Sequence, residues 1–464
     1  MEFKMFRFET WQEELNDEQS LRFYCELAAY FAKSAASGTA IAHDISVGDF
    51  DSLLTRTVPF DLGAAEYYNC AQALGFLTKF PGLPVQQDPR ENAIRKFIDG
   101  ESKCRETNYL FSLWKRGEFQ FTPAVESILH ATQRKIQEIM GDCPHPSQVR
   151  FRFKVGGAST ATKKKDADLR TLIEDSASCS EELLKSPLLI EVLESVPLLT
   201  SLHLGLSHPS DVLDSGDVDG EVSLVLMRAV LDFVAKNAKT DRIITKEPPL
   251  NKFLQNGYGD HLRARCKRWG IDIRDQGINQ ERARLGSIDG SLATADLSNA
   301  SGLIAFLLWE HLCPNDWWEV LTAIRCAHTE YQGYSFHLQS YAGMGNGTTF
   351  PVESILFHCL TSAVCEYYGF RSDVTVYGDD IILPSEAYPK FREVFEILGF
   401  EVNDGKTFAA GPFRESCGAD WYLGEDVRPF IAKDNVSCRL LFNMHNFFVR
   451  KGNEFIAYYI LCRI

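Results

Sequence analysis

The sequence predicts an α+β protein, and three observations carry that prediction. Apolar residues in the first third recur at helical spacing, short β-branched runs alternate with helical ones from about residue 291, and glycine-rich turns separate them.

Leu21, Phe23, Tyr24, Leu27 and Phe31, and the apolar residues of Ile128–Ile139, fall mostly three or four apart. That period marks helices with one buried face, so a mainly helical region is expected over 1–150. A turn-rich stretch with Pro144, Pro146, Gly156 and Gly157 follows, and Lys163–Lys165 and Asp211–Glu221 read as exposed loops. Further on, Ser291–Asp296 leads into a helix to about Leu312, and Gly343–Gly347 into a helix to about Tyr368. Val374–Leu383 and Phe391–Phe400 come next. After Phe430 the chain closes on apolar Phe455–Ile464, too short for a separate domain of normal size.

Composition narrows the class. Thirteen scattered cysteines include no C-x-x-C pair, which argues against a zinc or redox site and for reduced thiols. Met1–Met5 opens no apolar signal segment, and runs such as Gly302–Trp309 are far shorter than a membrane span, so an intracellular protein in solution is expected. A formal net charge of −15 excludes an indiscriminate polyanion binder, yet Lys239–Arg284 holds eleven Lys/Arg against six Asp/Glu. That segment is either a polyanion track or a solvated helix face.

Five stretches carry chemistry. Val374-Thr-Val-Tyr377 and Ile381-Ile-Leu383 flank Gly378-Asp379-Asp380, predicting a hairpin with two carboxylates at its tip. Such neighbours repel unless solvated, protonated or neutralised by a divalent cation, although Gly and Asp are also ordinary turn residues. Asp296 ends a strand-like run, with Ser298 or Ser301 expected to cap the next helix. Three carboxylates together suit a two-metal site favouring Mg2+, with Mn2+ as a substitute. In Gly343–Gly347, Asn346 offers donors and acceptors to a ribose hydroxyl, although a plain turn explains the loop as well. Lys239, Arg242, Arg263, Arg265, Lys267 and Arg268 suit phosphate oxygens, and Lys406 stands where a loop lysine can protonate a leaving pyrophosphate.

In order and spacing these pieces resemble the replicase subunit of the single-stranded RNA bacteriophages, the levivirus group. The resemblance rests on "DIRDQGINQERARLGSIDGSLATADLSNAS" (272–301), "MGNGTTFPVES" (344–354), "VYGDDIILPS" (376–385), "KTFAAGPFRESC" (406–417) and "GEDVRPF" (424–430). A weaker match is Gly156–Thr160. The resemblance implies a right-hand polymerase with fingers over 151–290, palm over 291–432, and a shortened thumb or divergent tail over 433–464. It puts two magnesium ions on Asp296, Asp379 and Asp380, and makes Lys406 the general acid. Lys239, Arg242, Arg263, Arg265, Gly345 and Asn346 would contact nucleotide, and Lys267, Arg268 and Arg414 would contact RNA. Implied partners are a single-stranded RNA template, nascent RNA, NTPs and host elongation factors Tu and Ts. The implied setting is the cytoplasm of a bacterial host, away from membranes. The alternative is a non-catalytic or poorly active RNA-binding replicase subunit or fragment that needs host partners. A reverse transcriptase shares the Tyr-x-Asp-Asp hairpin, but Gly302 and Asn346 leave room for a ribonucleotide. The family has an Asp where Gly302 stands here and Ser or Thr near Ala342, which predicts relaxed sugar discrimination.

Overall fold

The computed structural model describes residues 8, 10–11, 13–152, 160–161, 178–196 and 225–464. The expectations for Met1–Met5, Gly156–Ser159, Lys163–Lys165 and Asp211–Glu221 lie outside the described residues.

The N-terminal region is helical, as its periodicity requires: α1 (Asp17–Lys33), α2 (Thr39–Val47), α3 (Phe50–Thr55), α4 (Ala64–Gly75), α5 (Pro89–Lys115) and α6 (Pro123–Met140). Local chemistry sets the starts. Asn16 and Gln19 form a reciprocal capping box on α1, and α5 and α6 each open on proline behind an Asp88 or Thr122 cap. Next come β1 (Ser178–Cys179), α7 (Glu181–Lys185), α8 (Leu188–Ser195) and β2 (Val225–Leu226). A hairpin, β3 (Ala229–Asn237) and β4 (Thr240–Lys246), then leads to α9 (Pro249–Arg268) and α10 (Gly277–Asp289).

The second half holds β5 (Leu292–Ala295), β6 (Leu297–Ser298), α11 (Phe306–Leu312), α12 (Asn315–Ile324), β7 (His328–Tyr331) and β8 (Tyr334–His337). After these come α13 (Thr349–Tyr367), β9 (Thr375–Tyr377), β10 (Asp380–Pro384), α14 (Tyr388–Ile397) and β11 (Glu401–Val402). The chain finishes with β12 (Phe413–Ser416), β13 (Ala419–Tyr422), β14 (Glu425–Asp426), α15 (Cys438–Arg450) and α16 (Glu454–Leu461). A three-stranded antiparallel sheet, β5-β10-β9, lies at the centre, with Ile381 opposite Ala295. All four residues of β5 are buried, so the alternation expected there meets a strand covered on both faces. The expected serine cap is absent. Ser298 pairs in β6 with β11, Ser301 starts a 3-10 turn, and α11 begins after Ala305 with no side-chain cap.

Two hydrophobic cores form. The larger joins α5, α6 and α9 to the central sheet, α13 and α14. The smaller joins α1–α4 to Phe408, Phe413 and Tyr422, and to both C-terminal helices. Phe31 stacks on Phe448 at 5.7 Å and Tyr30 on Phe455 at 5.5 Å. The apolar residues after Phe430 therefore complete the core of the N-terminal helices. All thirteen cysteines are free thiols. Among the described residues no helix is long and apolar enough to cross a membrane.

Candidate active site

Asp380 pairs with Tyr377 across the β9–β10 hairpin, leaving Gly378 and Asp379 as a two-residue loop. Gly378 adopts φ +63° and Asp379 does not share the left-handed conformation, the pattern of a type II′ turn, whose twist matches that of paired strands. Helix α13 grips this turn. Gly378 N donates to Ser354 Oγ at 3.1 Å, and a Cβ on Gly378 would meet Phe350 Cε2 at 2.7 Å and Glu353 Oε1 at 3.0 Å. Gly378→Ala is therefore expected to cost about 2 kcal/mol of stability and to tilt Asp379. Unfolding midpoint and turnover, measured together, check this, and wild-type values for both would refute it.

The sheet register brings the third carboxylate alongside. Asp296 follows β5, where Asn403 N donates to its carbonyl (2.9 Å), Asn403 Nδ2 to Oδ2 (2.7 Å) and Lys406 Nζ to Oδ1 (3.3 Å). Asp380 Oδ1 accepts from Cys417 N (3.1 Å) and Ser416 Oγ (3.3 Å). Burial, then Asp296 and Asp380, push the Asp379 carboxyl from 3.8 up to about 6. Burial also lifts Asp380 above its ordinary value, against the Cys417 amide. Lys406 is the counterweight. Desolvation by the surrounding protein opposes its charge, but Asp296, Glu415 and Asp380 hold its ammonium above the ordinary value while the side chain keeps its contact with solvent. It stays protonated at neutral pH.

The donor set is all oxygen and mutually repelling, which suits a hard divalent cation. Among the described residues no three or more His, Cys, Asp or Glu form a ready-made metal cage. Mg2+ does not demand one, since it is usually held by one or two carboxylates plus waters and substrate phosphates. The residues fit that mode.

Around the carboxylates stand groups the sequence reading missed. Glu353 is buried on α13, and burial followed by Asp379 raises its carboxyl well above the usual range. Lys236 lies where the β3–β4 register shifts between Val234 and Asn237, a bulge that re-aims side chains. Its ammonium is held below its ordinary value by desolvation and by Arg242, Lys406 and Lys96, against Asp296. Spacing was the available signal: Lys236, Lys239 and Arg242 recur every third residue. None of the three has an ion-pair partner among the described residues.

Comparison with known proteins identifies the lineage of this arrangement. The family model described as RNA replicase, beta-chain, matches residues 34–450. The chain belongs to that family. It is 38% identical over 365 residues to the RNA-directed RNA polymerase subunit beta of Escherichia virus Qbeta, covering 78% of this chain and 58% of that protein. It is 33% identical over 390 residues to the same subunit of Qbeta virus strain MX1 (83% and 63% covered). With the RNA-directed RNA polymerase beta chain of Escherichia phage MS2 it shares 45% identity over 204 residues (44% and 37% covered). The chain thus spans about three fifths of the length of the Qbeta-type relatives. A looser likeness to the solved RNA-dependent RNA polymerase of BmCPV at its elongation state has a TM-score of 0.40 at 8% identity. It covers 74% of this chain and 33% of that one, and is too slight to build on.

The remaining residues expected from the family resemblance divide sharply. Asn346 is buried, and its Oδ1 accepts from Thr348 N (2.9 Å) and Oγ1 (2.7 Å), organising the start of α13. Its Nδ2 has no partner and is the part left for a ligand. Gly345, at φ +122°, packs its backbone against Thr245 while Lys252 takes its carbonyl, so it shapes the loop instead of offering a contact. At Gly302 a Cβ would sit 2.5 Å from Asn299 Oδ1, whose amide already fills that space.

Four of the expected basic contacts are engaged elsewhere. Arg265 donates to the carbonyls of Ile139 (2.8 Å) and Glu138 (3.1 Å), capping the end of α6, so it is a structural arginine and not a nucleotide contact. Arg263 is paired with Asp260 at 3.0 Å, and Lys267 with Asp272 at 3.2 Å. Arg268 is exposed and without an ion-pair partner among the described residues. Arg414, expected to touch RNA, is fully buried. Its guanidinium donates to the carbonyls of Leu292 (2.6 Å), Phe413 (2.7 Å), Gly411 (2.8 Å) and Ala410 (3.3 Å). Its remaining nitrogen, Nη2, is buried without a hydrogen-bond partner among the described residues.

Proposed function

We propose that this chain is an RNA-directed RNA polymerase, or the catalytic part of one, in the cytoplasm of a bacterial host. The supporting observation is the meeting of Asp296, Asp379 and Asp380 with a protonated, exposed Lys406 at the tip of a glycine-tuned hairpin. The reaction joins a 3′-hydroxyl to the α-phosphorus of an NTP and releases pyrophosphate. A bound pair of Mg2+ ions supplies activation of the hydroxyl and stabilisation of the leaving oxygens. Asp296, Asp379 and Asp380 are the residues to hold them.

The chain's own groups do the rest. Lys236, within electrostatic reach of Asp296, and Arg242 and Lys239 on the same hairpin are cations without ion-pair partners among the described residues, and they draw in the triphosphate. Asn346 Nδ2 meets the ribose. Lys406 keeps Asp296 oriented and passes its proton to the departing pyrophosphate. In a right-hand layout the β5-β10-β9 sheet with α10 and α13 is the palm, the β3–β4 hairpin and α9 belong to the fingers, and α15–α16 stand in the place of a thumb. The template is single-stranded RNA, and elongation factors Tu and Ts are candidate subunits.

Extension of a self-priming RNA with Mg2+ and all four NTPs, with and without those factors, tests the reading. Synthesis in either arm is the expected result. RNA binding with no synthesis in both arms would leave only a non-catalytic RNA-binding subunit.

A further inference from the structure

A second set of cations, outside the β3–β4 hairpin, also lies within electrostatic reach of Lys406. The segment after β14 is strapped across the N-terminal helices. Phe430 N donates to Gln72 Oε1 (2.8 Å), Gln72 Nε2 to Phe430 O (3.1 Å), Ala432 N to Gly75 O (3.0 Å) and Tyr24 Oη to Asp434 O (2.6 Å). This strap sets Lys433 beside Lys79, which lies in the turn after α4. At its near end Arg428 is fixed by Asp420 at 2.7 Å and lies 3.6 Å from where a Cβ on Gly418 would be. Gly418 follows Cys417, whose amide holds Asp380. The chain from Asp380's partner Cys417 through Gly418 thus passes close to Arg428, which precedes Lys433 on the strap and acts electrostatically on Lys79.

Lys79 is half-buried, Lys433 is exposed, and neither has an ion-pair partner among the described residues. Desolvation, then Arg428, Lys433 and Lys406, hold the Lys79 ammonium below its ordinary value, with Glu415 opposing. Cations that repel one another on a chain of net charge −15 are costly to gather without an anion to receive. Ion pairing does not hold them: Asp420 pairs with Arg428, Asp296 with Lys406, and Glu415 accepts from Gly418 N at 3.3 Å.

We propose that Lys79 and Lys433, with Arg428 behind them, form a phosphate track for the backbone of an RNA strand whose reacting end lies at Asp296, Asp379 and Asp380. The proposal rests on the polymerase reading for the identity of the strand. Lys406 is the node between two basic arms: Lys236, Lys239 and Arg242 on the triphosphate side, Lys79 and Lys433 on the strand side.

Fluorescence anisotropy of a labelled single-stranded oligoribonucleotide, titrated with salt, tests it on the full chain. For the Lys79→Gln, Lys433→Gln double variant the slope of log affinity against log salt is expected to shrink by about 1.4, two single-strand phosphate contacts. Affinity at ~0.1 M salt is expected to fall about tenfold. The Lys79→Arg, Lys433→Arg double variant keeps the wild-type slope, which separates loss of contact from misfolding. Lys390→Gln, on α14 and paired with Glu393, keeps it too. A glutamine double variant with the wild-type slope overturns the track, as does an equal loss in Lys390→Gln or a wild-type chain that binds no RNA. Should the wild type bind RNA through the track yet extend nothing, the polymerase reading falls while the track stands. If it extends RNA while the double variant binds unchanged, the reverse holds.

Discussion

Asp379→Asn is expected to abolish nucleotide incorporation while making the magnesium-free protein more stable. The first half follows from the role assigned to this carboxylate. Losing a ligand that positions metal charge at the reacting phosphate removes several kcal/mol of transition-state stabilisation, and about 4 kcal/mol is a thousandfold in rate. The second half follows from electrostatics. The folded carboxyl is raised from 3.8 to about 6, so the fold favours its protonated form. Its stabilising contribution is complete below the unfolded value near 4 and is lost as pH rises through about 6. At pH 7.5 the wild type carries an ionised group that burial, Asp296 and Asp380 disfavour, and asparagine does not. A shift of that size sets an upper bound of about 3 kcal/mol, and partial exposure reduces it to about 1–2 kcal/mol. Thermal unfolding at pH 7.5 and pH 4 in chelator checks both signs. The variant should melt higher at pH 7.5 and match the wild type at pH 4. A lower melting point at pH 7.5 would contradict the account.

Arg414→Ala is expected to cost about 3–5 kcal/mol of stability, the largest loss among the substitutions considered. The guanidinium is fully buried, ties β12 to the start of β5 through the Leu292 carbonyl, and holds the carbonyls of Ala410, Gly411 and Phe413 in its own segment. Removing it strands those acceptors in a dry site, where each unsatisfied group costs about 1–3 kcal/mol. Lysine restores charge but not the planar fork, so Arg414→Lys recovers only part of the loss. The urea midpoint measures this. An unchanged midpoint with weakened RNA binding would return Arg414 to the role of an RNA contact.

The Gly378–Asp380 turn was legible in the sequence because its determinants are local. Gly378-Asp379-Asp380 between β-branched runs specifies a hairpin, and the register that carries Asp296 to its side follows from one antiparallel pairing. Lys406 was legible for the same reason, lying just past the short strand that holds Asp296. Arg414 was not. An arginine in a polar-looking run reads as surface, and only the tertiary packing of β12 on β5 buries it. The same holds for Arg265, whose partner carbonyls lie more than a hundred residues upstream. Lys236 left only its three-residue spacing to Lys239 and Arg242, since a β-bulge sets its aim, and Glu353 needed the crossing of α13 beneath the hairpin. The closing helices were hardest to place, because their apolar faces match a core built from residues 23–83 at the other end of the chain. Sequence separation, more than chemistry, set the limit.

The central claim is that Asp296, Asp379 and Asp380 act together to hold divalent ions for nucleotidyl transfer. Electron paramagnetic resonance of Mn2+ titrated into the protein with a non-hydrolysable NTP analogue measures this directly. Two bound ions in the wild type, with at least one lost in Asp379→Asn, is the predicted result. Equal stoichiometry and affinity in the two proteins would contradict it.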